Sequence, residues 1–240
     1  MNVADKMVLV TGANRGIGRA MVHEALRRGA ARVYAGTRSG EIDIADPRVT
    51  PLTLDVTNPA QIRQASEKIE ALDVLVNNAG IAVYDNLDDL EVIQRHLDVN
   101  LFGVLRMTQA FLPQLKRSRG AVVNHLSLVA LASLPIISGY SLSKAGALNM
   151  TQSLRAQLAS HGVGVHAVLL GPIDTDMNRG LDIPKATTAS AAQSIFDGLQ
   201  SGDEDIFPDP TSRAIADGWR NGVAKALEHQ FAPFVPASAA

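Results

Sequence analysis

MVLVTGANRGIG, Met7 to Gly18, is the stretch that decides the architecture. Met7 to Thr11 is a short unbroken apolar run, the form of a strand buried on both faces. Glycines follow at positions 12, 16 and 18. RAMVHEALRRG then has helical periodicity through Ile17, Met21, Ala25 and Leu26, and ends at Gly29. Strand, glycine turn and helix are therefore consecutive. A dinucleotide-binding turn requires that order, with backbone close to phosphate and negative charge at a helix N-terminus. The spacing G-x-x-x-G-x-G departs from the G-x-G-x-x-G fingerprint, and a glycine cluster by itself also describes a tight turn.

Moving outward, Arg32 to Gly36 reads as the second strand. A carboxylate at its end would accept from a ribose 2′-hydroxyl, whereas an arginine would hold a 2′-phosphate. The residues there are Thr37, Arg38 and Ser39, with no acid before Glu41, and Arg15 lies inside the glycine turn. Two cations and no carboxylate favour NADP(H); the competing reading makes both arginines solvated surface charges. Leu52 to Asp55 is the third strand. Asn58 and Pro59 open a helix to about Glu70, as N-cap and first-turn residue. Asp73 to Val76 begins the fourth strand and leads into NNAG, Asn77 to Gly80, a turn able to lie against a flat ligand. Leu87 to Arg117 is a long helical segment that holds Asn100, with Pro113 expected to kink or break its end. Asn100 either hydrogen-bonds a neighbouring helix or binds a water.

Ala121 to Leu126 is the fifth strand, and Ser127 follows at the C-terminal sheet edge, where open α/β sheets bind ligands. His125 reads as a hydrogen-bonded core histidine, or else as a residue shaping the site. Val163 to Leu170 is the sixth strand, followed by the turn GPIDTDM. Asn178 to about Thr188 lacks periodicity, so a substrate lid is expected near residues 174–195, with a plain surface loop as the alternative. Residues 189–202 read as a helix, EDIFPD as a short seventh strand and 211–229 as a last helix; the tail from Phe231 is expected to be loosely ordered. Alternating strands and helices predict one α/β domain over residues 1–240, a doubly wound parallel sheet of about seven strands with helices on both faces.

The chemistry sits on Tyr140-Ser141-Leu142-Ser143-Lys144, inside a proline-free helical run from Gly139 to Gly162. Tyr140 and Lys144, four apart, share a helix face. A nearby ammonium lowers a phenol's pKa; moving it from about 10 to about 7 takes roughly 4 kcal/mol. A bound cationic ring and a partly desolvated lysine would supply that, and Ser127 would donate to a substrate oxygen. The constellation passes a proton to or from a carbonyl or alcohol. Alone, a tyrosine and a lysine at this spacing are common on exposed helices.

TGANRGIG, Asp55, NNAG, Asn100, Ser127 and YSLSK occur together, in order. So assembled, residues 5–230 resemble the short-chain dehydrogenase/reductase family. The resemblance implies a Rossmann-like sheet and NAD(P)-dependent oxidation or reduction, with Asn100, Ser127, Tyr140 and Lys144 as a catalytic tetrad. Tyr140 would be the acid in reduction, Lys144 would also bind the nicotinamide ribose, and Asn100 would hold a relay water. Cofactor contacts would come from Gly12, Asn14, Arg15, Gly16, Ile17, Gly18, Thr37 and Arg38. Asp55 and Val56 would lie at the adenine, and Asn78, Ala79 and Gly80 along its ribose. Pro172, Ile173 and Thr175 would meet the carboxamide and phosphate region. Departures from the family pattern are His125 at a usually apolar position, Leu126 before Ser127, and Leu170 before Gly171; all three bear on the substrate pocket.

Composition bounds the rest. Charge is nearly balanced, 22 basic against 24 acidic residues, so no nucleic-acid surface is expected. There is no cysteine for disulfide, thiolate or cysteine-metal chemistry, and no metal site is expected. No secretory signal or membrane span is read, which makes a cytoplasmic location the default. The family resemblance implies a homo-oligomer, tetramer or dimer. Ala145, Gly146 and Ala147 either admit a partner's helix or pack on their own sheet. The leading expectation is an NADPH-dependent carbonyl reductase acting on a small-molecule ketone or aldehyde. The alternatives are the oxidative NADP-linked alcohol dehydrogenase and a catalytically silent NADP(H)-binding sensor. Leu128, Leu134 and Ile136, with the lid, hint at a bulky hydrophobic carbonyl.

Overall fold

Alternation of apolar side chains inside the strands buries both faces of one sheet. In the computed structural model, which describes residues 1–235, all seven strands pair in parallel: β1 (Met7–Thr11), β2 (Arg32–Thr37), β3 (Val49–Thr53), β4 (Val74–Asn77), β5 (Ala121–His125), β6 (Gly164–Val168) and β7 (Asp205–Ile206). Their order across the sheet is β3-β2-β1-β4-β5-β6-β7, a doubly wound arrangement whose direction reverses between β1 and β4. Val8 and Val10, Val74 and Val76, and Val123 face the layer of α1 (Gly16–Arg27) and α6 (Thr188–Ser201). Leu9, Leu75, Val122 and Val165 face α2 (Pro59–Lys68), α4 (Gly103–Ser118) and the end of α5 (Ser138–Ala159). A period-2 strand can fill both faces only if both are apolar, so these strands read as unbroken hydrophobic runs.

Asn58 caps α2 as expected, accepting from the backbone N–H groups of Ala60 and Gln61. Elsewhere the elements differ from the sequence reading, each for a local reason. The third strand begins at Val49 and stops at Thr53, so Asp55 lies beyond it, in a turn closed by Thr57 N–H and Oγ1 on Asp55 Oδ1. The single helix expected from 87 to 117 is three pieces: α3 (Leu90–Leu97), a π-helical turn (Asp98–Phe102) and α4. Pro113 does not end it; α4 runs on to Ser118. The carbonyl deprived of a partner by a proline at that point belongs to Gln109, on the exposed side of the helix, where water reaches it. The last helix is also two, α7 (Pro210–Arg220) and α8 (Val223–Phe231), broken at Asn221–Gly222. A Cβ at Gly222 would lie 2.7 Å from the Gly218 carbonyl oxygen, so only glycine allows this tight reversal. The expected lid shortens too: Ala191, Ala192 and Ile195 are core residues of α6, so residues 188–195 belong to the scaffold. The remaining loop is tied down at its base, where Asp174 N–H donates to Ala186 O and Ala186 N–H to Pro172 O. Of the tail expected to be loosely ordered, residues 236–240 lie outside the described residues.

Gly146 and Ala147 find partners within the chain. Ala147 is fully buried, and a Cβ at Gly146 would come within 3.2 Å of Leu101 Cδ2. No helix among the described residues is long and apolar enough to cross a membrane.

Candidate active site

The C-terminal ends of β1, β4, β5 and β6 bring most of the expected residues to one sheet edge. The first part is the glycine turn. Gly12 and Gly16 take positive φ of 66° and 54°. A Cβ on Gly18 would sit 2.2 Å from the Gly12 carbonyl oxygen and 2.5 Å from Asn78 Nδ2, so α1 starts against the turn with no room for a side chain. No side chain caps α1 and no acid occupies its first turn. Its leading N–H groups and dipole therefore suit an anion. Ile17 is half-buried at that helix start and Asn14 exposed beside it. Asn78 ties the turn to β4 by donating from Nδ2 to Thr11 O (2.8 Å) and Gly12 O (3.2 Å); Thr11 Oγ1 accepts from Asn78 and Ala79 N–H.

The two cations read as phosphate ligands stand differently. Arg38 is exposed after β2 and makes no hydrogen bond or ion pair among the described residues, while Thr37 is buried and donates to Glu41 O. Arg15 instead pairs with Asp176 (3.2 Å), which also pairs with Arg179. Asp176 follows Thr175, whose methyl carbon lies 3.3 Å from a Cβ built on Gly16. The loop after β6 thus closes on the glycine turn. Pro172 is half-buried and Ile173 fully buried beneath that loop. Val56 is buried against Gly103, where a Cβ would be 2.8 Å from Val56 Cγ2.

At the β5 end, the Ser127 hydroxyl stands beside the Tyr140 phenol, where it acts to lower the phenol's pKa. Lys144 is buried, its Nζ donating to the His125 carbonyl at 2.7 Å and lying 5.6 Å from the centre of the Tyr140 ring. Burial lowers its pKa to about 8. In the protein alone, burial pushes Tyr140 up to about 12, and the neighbouring Ser127 hydroxyl offsets this only in part. The ammonium is turned to a backbone carbonyl and the ring, so desolvation wins and the phenol keeps its proton at neutral pH. Gly80 borders the same place: a Cβ there would be 3.2 Å from Asn100 Oδ1 and 3.8 Å from Lys144 Nζ.

Asn100 sits fully buried in the π-helical turn, a distortion often found at functional sites. Its amide clamps Ile81, accepting from its N–H and donating to its carbonyl, both at 2.9 Å; Nδ2 also donates to Ser143 Oγ at 3.0 Å. The Ser143 bond ties this side chain to the neighbouring helix α5. His125 is a buried core histidine, its Nδ1 on Asn78 Oδ1 at 3.0 Å, and burial lowers its pKa to about 3. It is therefore neutral, and through Asn78 it also supports the glycine turn.

A family model described as short chain dehydrogenase matches residues 6–185. The chain belongs to the short chain dehydrogenase family. It is 35% identical over 192 residues to the 3-oxoacyl-(acyl-carrier-protein) reductase FabG of Escherichia coli K12, covering 75% of this chain and 79% of that protein. It is 31% identical over 196 residues to 11-beta-hydroxysteroid dehydrogenase 1A of Arabidopsis thaliana, covering 75% of this chain and 55% of the relative. Among solved structures, a short chain dehydrogenase from Burkholderia cenocepacia J2315 in complex with NADP superposes with a TM-score of 0.88. The two are 37% identical, and the match covers 98% of this chain and 100% of that one.

Three side chains of this short chain dehydrogenase escaped the sequence reading. Ser143 accepts from Asn100 and donates to the Tyr140 carbonyl at 2.7 Å; its place one residue before Lys144 was the available signal. His96 and Asp85 lie against the start of the Tyr140 helix, and nothing in their spacing announces it. His96 is buried with its ring edge-on to Tyr140, centroids 6.2 Å apart. Asp85 Oδ1 accepts the Gly139 N–H at 2.7 Å.

Proposed function

We propose that this short chain dehydrogenase is an NADP(H)-dependent ketoreductase of the carbonyl-reductase type, reducing a ketone or aldehyde to an alcohol, reversibly. The observation that carries the reading is the Tyr140 phenol. It is protonated, has the Ser127 hydroxyl beside it, and is set beside a buried Lys144 at the same sheet edge as the glycine turn. When bound, the nicotinamide supplies the hydride. Tyr140 gives the proton to the developing alkoxide, Ser127 holds the same oxygen, and Lys144 provides the positive charge that eases the loss. Asn100 fixes Ile81 and, through Ser143, the backbone of Tyr140.

The residues fit a dinucleotide. The α1 N-terminus is uncapped, and Gly12 and Gly18 leave space that a side chain would fill. Gly12, Asn14, Gly16, Ile17 and Gly18 would hold the diphosphate. Asp55, Val56, Asn78, Ala79 and Gly80 would hold the adenosine side, and Lys144, Pro172, Ile173 and Thr175 the nicotinamide side. Unpaired Arg38, with no carboxylate at the β2 end, favours a 2′-phosphate; Arg15 would join it by exchanging Asp176 for the ligand. The NADP in the Burkholderia structure and the reductase name of the FabG relative point the same way. The loop from 174 to 187 would be the substrate lid. Met177 and Ile183 within it, and Leu134 and Ile136 between Ser127 and α5, are large apolar side chains left exposed, which suits a bulky hydrophobic carbonyl. A homo-oligomer is part of this reading.

The test is NADPH consumption against a panel of hydrophobic ketones and aldehydes. Wild-type protein should turn over at least one, while Tyr140→Phe should lose turnover and retain NADPH binding by fluorescence titration. Reduction surviving in Tyr140→Phe refutes the assignment, and a wholly silent wild type favours the sensor.

A further inference from the structure

We infer that His96 and Asp85 form a positioning pair that sets the Tyr140 phenol; this rests on the reading of Tyr140 as proton donor. His96 Nε2 accepts the Val83 N–H at 3.0 Å, so the neutral ring carries its proton on Nδ1. Nδ1 faces Asp85 Oδ2 at 4.0 Å, beyond hydrogen-bond distance, with the Val92 carbonyl one turn back as a second acceptor beside it. Both side chains are buried, 0% and 2% exposed. A buried donor and a buried acceptor face each other in an unclosed contact; a closure of about 1 Å makes it a hydrogen bond.

The other carboxylate oxygen explains the location. Asp85 Oδ1 accepts from Gly139 N–H, an unpartnered first-turn amide of α5 one residue before Tyr140. The N-cap of that helix, Ile137, offers no side chain, so Asp85 caps it from a different segment. A carboxylate there also meets the positive end of the helix dipole. Asp85 N–H in turn donates to Ile136 O, which fastens residues 81–87 along the chain entering the helix. Glycine at 139 is a condition of the arrangement: a Cβ would be 3.0 Å from His96 Nδ1 and 3.2 Å from both Asp85 oxygens. The His96 ring then rests edge-on against Tyr140, at an interplanar angle of 65°. The pair therefore meets the helix turn one residue before the tyrosine and the tyrosine ring itself. None of its contacts reaches the glycine turn, so its loss should fall on proton transfer and spare nucleotide binding.

The experiment uses the full chain labelled with ¹³Cζ-tyrosine. Three tyrosines, Tyr34, Tyr84 and Tyr140, give three signals, and Tyr140→Phe identifies the one that matters. His96→Gln keeps an acceptor for Val83 and removes the group facing Asp85. Asp85→Ala removes both contacts, and Asp85→Asn restores the Gly139 bond. Asp85→Ala should displace the Tyr140 signal and leave Tyr34 in place, with Asp85→Asn partway back. No ring is deleted in that variant, so the displacement reports the phenol itself. In turnover, Asp85→Ala and His96→Gln should each lower kcat about tenfold with the KM for NADPH within about twofold, the pattern of a contact that matters in the transition state. A Tyr140 signal unmoved in both variants overturns the pair. So does a loss confined to the KM for NADPH. A wild type inactive on every carbonyl would instead sink the ketoreductase reading, and the tyrosine signals would still decide the pair.

Discussion

Replacing Lys144 by methionine should separate stability from activity. The lysine is 5% exposed, and burial brings its pKa from an ordinary value near 10.4 to about 8. A lowered folded-state pKa for a base means that the fold disfavours the charged form. That cost is fully present below the folded value and fades as pH rises from about 8 to the unfolded value. At pH 7 it amounts to about 3 kcal/mol by linkage. Methionine removes the cost but takes away the 2.7 Å bond to the His125 carbonyl, which loses back about 1–3 kcal/mol. The cofactor-free variant should therefore be as stable as wild type, or up to about 2 kcal/mol more stable, in urea unfolding at pH 7. At pH 9.5 its relative standing should fall by about 2 kcal/mol, because the wild-type lysine is by then largely neutral when folded. Carbonyl reduction should be lost at both values. A variant less stable than wild type by more than about 2 kcal/mol at pH 7 would refute the reasoning. An identical stability difference at the two pH values would do the same. Either result would mean that Lys144 is held at its site by strong ion pairing and not merely tolerated there.

Two further outcomes follow from the nucleotide side. Arg38→Asp should move the ratio of NADPH to NADH catalytic efficiency toward NADH by about tenfold or more, since one exposed cation becomes an anion beside a 2′-phosphate; an unchanged ratio removes Arg38 from cofactor choice. Gly18→Ala places a methyl 2.2 Å from the Gly12 carbonyl oxygen and 2.5 Å from Asn78 Nδ2. It should cost about 1–3 kcal/mol of stability and abolish measurable NADPH binding by calorimetry while far-ultraviolet dichroism stays native; tight binding in that variant would mean that the turn is not the diphosphate site.

All seven strands and the glycine turn were legible in the sequence because their signals are local. A run such as Val8-Leu9-Val10 has the form of a strand buried on both faces, and Gly12, Gly16 and Gly18 between it and a periodic helix leave few other conformations. Asn58-Pro59 announces a helix start for the same reason. What the sequence did not contain is anything set by which segments meet. The π-helical turn around Asn100 is fixed by Ile81 and Ser143, which lie 19 and 43 residues away. Pro113 reads as a helix end until the surface is known to solvate the one carbonyl it orphans. The Arg15–Asp176 pair joins residues 161 apart. The protonation of Tyr140 depends on how completely its surroundings exclude water and on where Lys144 aims its ammonium. Helical spacing put tyrosine and lysine on one face, whereas the fold turned the ammonium to the His125 carbonyl and, in the protein alone, left desolvation in control. Propensity and periodicity act within a few residues and so can be read from the chain; burial, charge pairing and pKa belong to the packed molecule, and only the tertiary structure decides them.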